Sequence, residues 1–192
     1  MSQIASLLES NKTDFLSTLR EKMRIASKHN WREKVFVQAV KALLVEHHYA
    51  IEPSRSYANN LGLQCDIAAT KSVTYMIEIK RFRSPSACVS VAGGTLEEWI
   101  GELKGFPRDF LIDVAKVVLA TNEQINIEGI AIAFIAFDKD ITKDELSVRI
   151  EIGAKISTTF NLQNIVIDFG IFNDNNNKPV RLIAICLASK FK

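Results

Sequence analysis

The chain has 192 residues, 47% of them hydrophobic and 24% charged, which predicts an ordinary globular protein and excludes an intrinsically disordered one. Lysines and arginines number 24 against 22 acidic residues, so the net charge of +2 does not by itself indicate a nucleic-acid partner. Because the three cysteines form no C-x-x-C pair and no apolar run approaches a membrane span, we expect a cytoplasmic protein that does not contact a membrane.

Two helices are predicted at the start of the chain. The first covers residues 13–28, where apolar side chains recur at helical spacing. The second begins at Asn30, a good N-cap residue with Glu33 three positions later, and runs to about His47. This spacing indicates a capping box at its first turn.

The next segment has the character of β-strands. Residues 49–53 predict a short strand that Pro53 stops. Two further strands, Leu63 to Ala69 and Val73 to Lys80, flank a short polar segment. This arrangement predicts a β-hairpin.

The second half of the chain alternates helices and strands. Capping residues mark the helix starts, and the apolar run IEGIAIAFIAF is too short to cross a membrane, so it predicts a strand buried on both faces. The predicted elements are a helix from Thr95 to Lys104, a helix from about Pro107 to Leu119, a strand from Ile127 to Phe137, a helix over residues 142–157, and a C-terminal hairpin around Asn173 to Pro179.

Three polar residues of the first hairpin carry the strongest functional signal. Side chains alternate along a strand, so Glu78 and Lys80 lie on one face, and burial of both apolar sets in one core puts Asp66 on the same face. A loop of three residues, 71–73, or of five, 70–74, pairs Asp66 directly with Glu78. Cross-strand neighbours have Cβ atoms about 5 Å apart, so the two carboxylates could share one cation.

A hard divalent cation such as Mg²⁺ prefers oxygen ligands of this kind, and Mn²⁺ is a plausible substitute. Asp66, Glu78 and the backbone carbonyl of Ile79 would be its protein ligands. Lys80 could orient or help to deprotonate a bound water and offset developing negative charge. The alternative interpretation is an exposed strand face that carries a salt bridge, since Glu-x-Lys is common and occurs again at Glu102 and Lys104.

The motif and its context resemble the PD-(D/E)XK nuclease superfamily. The matching residues are Cys65-Asp66, then eleven residues, then Glu78-Ile79-Lys80, with Cys65 where the family name has proline. The resemblance implies an α/β fold with a restriction endonuclease-like core, a central mixed β-sheet flanked by helices. The chain would then form one nuclease-like domain with an N-terminal helical extension at 1–29, a core at 30–137, and a helix and C-terminal β-hairpin at 138–192.

The family resemblance also implies the site and the activity. Asp66 and Glu78 would be metal ligands and Lys80 the catalytic lysine, while Glu33 is either a further acidic ligand or the capping partner of Asn30. The expected function is Mg²⁺-dependent hydrolysis of DNA by an endonuclease of restriction or repair type, acting as a homodimer without a small-molecule cofactor. Candidate nucleic-acid contacts are Lys71, Arg81 and Arg83.

Two alternatives remain open at this point. One is a catalytically inactive protein that keeps the nuclease fold as a binding or regulatory module. The other is a nuclease toxin or defence effector that applies the same chemistry to a different target. Asp113 and Lys116, on the helix after the catalytic strand, are expected to be solvated or structural, although a helix near the site could lend a lysine to substrate phosphate.

Overall fold

The computed structural model describes residues 2–26, 32–52, 55–57, 63–83, 106–123, 126–138, 143–174 and 176–189. Within these ranges the chain has an α/β fold with five helices and one six-stranded sheet. The helices are α1 (Gln3–Ser10), α2 (Lys12–Ala26), α3 (Glu33–Glu46), α4 (Phe106–Glu123) and α5 (Lys143–Thr159). The strands are β1 (Ala50–Glu52), β2 (Ile67–Thr70), β3 (Thr74–Arg83), β4 (Ile127–Asp138), β5 (Gln163–Asn173) and β6 (Pro179–Ala188).

The sheet is mixed, with the strand order β1-β2-β3-β4-β6-β5. β3 and β4 are parallel, and the other neighbouring pairs are antiparallel. A parallel pair needs a long crossover connection, and here that connection contains α4. The predicted C-terminal hairpin is confirmed as β5 and β6, and it extends the sheet beyond β4.

Strand β4 is buried on both faces, as its apolar run predicts. Ile130, Ile132 and Phe134 contribute to one hydrophobic core, whereas Ala131 and Ala133 point into a second core on the opposite face. This alternation follows the two-residue period of a strand. The sheet therefore separates two apolar layers, one covered by α1, α2 and α3 and the other by α4 and α5.

The N-terminal helices belong to the main core. Phe15 of α2 stacks on Phe134 with ring centroids 5.4 Å apart, and Phe36 of α3 lies 5.1 Å from the same ring. Helix α1, which periodicity did not predict, buries Ile4 and Leu8 completely or nearly so. Both α1 and α2 pack against the sheet itself.

Helix α4 begins at Phe106 and ends at Glu123, so it is longer at both ends than predicted. It lies very close to β4 at Gly129, where a Cβ atom would be 2.8 Å from Val117 Cγ1 and 2.9 Å from the Val117 carbonyl oxygen. A glycine is therefore required for this approach. The predicted helix from Thr95 to Lys104 and the Glu102–Lys104 pair lie outside the described residues.

Candidate metal centre

The predicted hairpin has the three-residue loop, with Thr70 paired to Thr74 and residues 71–73 between them. β2 begins only at Ile67, four residues later than predicted. The preceding residues pair elsewhere, because the Cys65 amide donates to the Arg55 carbonyl at 3.1 Å. The chain therefore leaves β3 at Asp66, and the sheet opens at this point.

Asp66 occupies the opening between the two strands. The register of the hairpin, continued by one residue, places it opposite Glu78. Its Oδ2 accepts a hydrogen bond from the backbone amide of Ile79 at 2.8 Å. Since the N–H and C=O of one residue in an extended strand point to the same side, the Ile79 carbonyl also faces the side on which Asp66 lies.

Glu78 lies on the face of β3 that α4 covers, and only 1% of its surface is exposed. Its Oε1 accepts a hydrogen bond from the Tyr57 hydroxyl, and its Oε2 lies 3.2 Å from Lys116 Nζ. The pKa of Glu78 is raised to about 7, chiefly by burial; the charges of Asp66 and Asp113 also raise it, whereas the hydrogen bond from Tyr57 and the charge of Lys116 lower it.

Lys80, two residues along the same face, joins two acidic side chains from different helices. Its Nζ is 3.4 Å from Glu33 Oε2 on α3 and 3.5 Å from Asp113 Oδ2 on α4. Burial disfavours the charged lysine, but attraction by Asp113 and Glu33 outweighs it and raises the pKa of Lys80. The structure thus brings Glu33 to the predicted motif.

The predicted capping box at α3 is wrong. Glu33 is the first residue of the helix, with Arg32 rather than Asn30 in the N-cap position and no side-chain cap; Asn30 itself lies outside the described residues. The Glu33 carboxylate instead contacts Lys80. Burial raises the pKa of Glu33, and the negative charge of Asp66 adds to this effect while Lys80 opposes it.

Helix α4 contributes two residues that were expected to be solvated or structural. Asp113 is 1% exposed, so the expectation of a solvated side chain is wrong. Lys116 Nζ lies 2.9 Å from Asp113 Oδ1, one helical turn away, and also contacts Glu78. The pair therefore links the helix to the strand motif.

The charges and donor atoms of this cluster suit a divalent cation. Four carboxylates, from Glu33, Asp66, Glu78 and Asp113, face two lysines, Lys80 and Lys116. When all are ionised, negative charge is in excess by two. Asp113 Oδ2 is buried and accepts no hydrogen bond from the residues that the structure describes, so the cluster contains an oxygen that is not fully satisfied.

Among the described residues, no three His, Cys, Asp or Glu side chains are gathered into a group that could hold a metal ion by themselves. A magnesium ion commonly keeps several waters and takes one or two protein carboxylates. Asp66, Glu78 and the Ile79 carbonyl match that smaller ligand set.

Of the predicted nucleic-acid contacts, Lys71 lies away from this cluster. Lys71 lies at the hairpin loop, where its Nζ donates to the His47 carbonyl at 3.2 Å and lies 5.1 Å from the centre of the Tyr49 ring. Thr74, beside that loop, and Lys80 are six positions apart along β3, a distance of about 20 Å. Arg81 is half-buried in β3, and the Arg83 side chain lies outside the described residues.

Comparisons with protein-family models, curated proteins and solved structures found no match to this chain. The resemblance to PD-(D/E)XK nucleases therefore stays a prediction from the motif.

Sequence patterns missed Tyr57, whose hydroxyl contacts Glu78. It lies in a segment of irregular structure, 21 residues before its partner. Asp113 and Lys116 do carry a signal, since residues three apart share a helix face. That signal does not say which strand the face contacts.

Proposed function

We propose that this protein is a metal-dependent nuclease with a restriction endonuclease-like core, and that it hydrolyses phosphodiester bonds of DNA. The observation that carries the proposal is the opening of the sheet at Asp66, directly beside Glu78 and Lys80. Where the strand pairing ends, the Asp66 carboxylate takes the place of a β2 partner at the Ile79 amide, beside the carbonyl that would bind the ion. A salt bridge on a continuous exposed strand would not need such an opening.

Asp66, Glu78 and the Ile79 carbonyl would hold the metal. A bound Mg²⁺ or Mn²⁺ supplies Lewis-acid polarisation of a phosphoryl oxygen and lowers the pKa of a bound water. Tyr57 keeps one oxygen of Glu78 in a fixed orientation. The buried position of Glu78 excludes bulk water from that side of the cluster.

Lys80 would act on the substrate by its charge. Its ion pairs with Glu33 and Asp113 favour the protonated form. A protonated amine beside the scissile phosphate offsets negative charge that develops in the transition state. Glu33, which lies on α3 and contacts Lys80, would orient that amine.

DNA is proposed as the substrate from the family resemblance, together with the homodimer. The described part of the chain has one such centre, and two-fold symmetry would direct two centres at the two strands of a duplex. Light scattering of the purified protein, with and without a DNA duplex, measures the stoichiometry directly.

The experiment that tests the function is cleavage of supercoiled plasmid DNA with Mg²⁺ or Mn²⁺, compared with EDTA. Asp66→Asn and Lys80→Met should each lower the rate by at least about 100-fold. The matched control is Lys155→Met, because Lys155 lies on α5 in a surface ion pair with Glu151. This variant should cleave at the wild-type rate. Circular dichroism checks that each variant is folded.

Two results would reject the proposal. Metal-dependent nicking by both variants would show that the active site lies elsewhere in the protein. Folded protein that cleaves neither DNA nor RNA with either metal would favour a binding or regulatory module that keeps the fold.

A further inference from the structure

Lys116 is the cation that neutralises the buried part of the cluster. Its ammonium group lies 3.2 Å from Glu78 Oε2 and 2.9 Å from Asp113 Oδ1. The side chains of both acidic partners are only 2% exposed. An ion pair in such surroundings is screened little by solvent.

The same lysine contacts the proposed metal ligand at the oxygen that Tyr57 does not engage. Glu78 Oε1 accepts a hydrogen bond from the Tyr57 hydroxyl, and Oε2 accepts one from Lys116 Nζ. A divalent cation that coordinates Glu78 would lie a few ångströms from the ammonium group, and the two positive charges would repel each other. Metal binding and the Lys116–Glu78 ion pair therefore compete.

Asp113 can remain the ion-pair partner of Lys116 when the ion pair between Lys116 and Glu78 is broken. The two residues are one turn apart on α4, so their contact does not depend on β3. The other oxygen of Asp113 is buried without a hydrogen bond among the described residues. Lys80 Nζ lies 3.5 Å from this oxygen.

We propose that Lys116 is a built-in counter-ion that a divalent metal must displace from Glu78, so that it weakens metal binding and sets the metal concentration at which the centre fills. This inference rests on the proposed metal centre. Its consequence is that removal of the Lys116 charge strengthens metal binding, the opposite of what a substrate-binding or purely structural lysine predicts.

The test is titration of the full chain with Mn²⁺, followed by isothermal calorimetry and by the electron paramagnetic resonance signal of free Mn²⁺. Lys116→Gln should bind Mn²⁺ about tenfold more tightly than the wild type, within the range of a typical coupling between two ligands. Lys116→Arg, which keeps the charge, should stay near wild-type affinity. Lys155→Gln removes a surface lysine and controls for overall charge.

Asp113→Asn gives a second, independent measurement if Lys116→Gln does not fold. It removes the other partner of Lys116 and one negative charge, so Mn²⁺ should bind more weakly than to the wild type. Unchanged or tighter binding to Asp113→Asn would reject the inference.

The outcomes separate this inference from the proposed function. If the wild type binds Mn²⁺ but Lys116→Gln binds it equally or more weakly, the counter-ion role is wrong and the metal centre stands. If neither binds Mn²⁺, both the metal centre and the inference are wrong. Tighter binding that Asp66→Asn abolishes supports both.

Discussion

Glu78→Gln tests the electrostatics of the cluster without any metal. The substitution keeps the size of the side chain and removes its ionisation. In the wild type the pKa of Glu78 is raised from 4.5 to about 7, chiefly because the carboxyl group is buried. Between these two values the folded protein binds more protons than the unfolded chain, so the stability of the wild type falls as the pH rises.

The size of this effect follows from the two pKa values. The stabilisation is fully present below the unfolded pKa of 4.5 and is lost as the pH rises through about 7. The linkage relation gives a loss of about 2–3 kcal/mol between about pH 5 and about pH 8. Glu33, whose pKa is also raised by burial, contributes to both proteins and largely cancels in their difference.

The assay is urea unfolding in EDTA, followed by circular dichroism at about pH 5 and about pH 8. Relative to Glu78→Gln, the wild type should lose about 2–3 kcal/mol of unfolding free energy over this interval. Glu151→Gln, which removes a surface carboxylate, should follow the wild type. The reasoning would be refuted if the unfolding free energies of the wild type and Glu78→Gln differed by the same amount, within about 0.5 kcal/mol, at both pH values.

Two further substitutions test the packing around the site. Tyr57→Phe removes the hydroxyl that donates a hydrogen bond to Glu78. It should lower the free energy of unfolding by about 2 kcal/mol at high pH, where the carboxylate is charged, and by less near pH 5. The same urea titrations measure both values. Gly129→Ala places a methyl group 2.9 Å from the Val117 carbonyl oxygen and should cost about 1–3 kcal/mol, measured as a fall in melting temperature. An alanine variant as stable as the wild type would show that α4 does not pack tightly on β4.

The sequence alone determined the parts of the centre that depend on local periodicity. The two-residue period of a strand places Glu78 and Lys80 on one face of β3. Both loop lengths that the sequence left open put Asp66 in register with Glu78, and the structure has the three-residue loop. The same period, applied to an uninterrupted apolar run, predicted that β4 is buried on both faces, as observed.

Only the tertiary structure decided which side chains surround that motif. Glu33 looked like a capping residue because three-residue spacing from an N-cap is a local signal, yet it contacts Lys80 across the fold. Tyr57 and Lys116 reach Glu78 from 21 and 38 residues away. Such contacts depend on how the sheet opens and where α4 packs, and no short-range pattern encodes either.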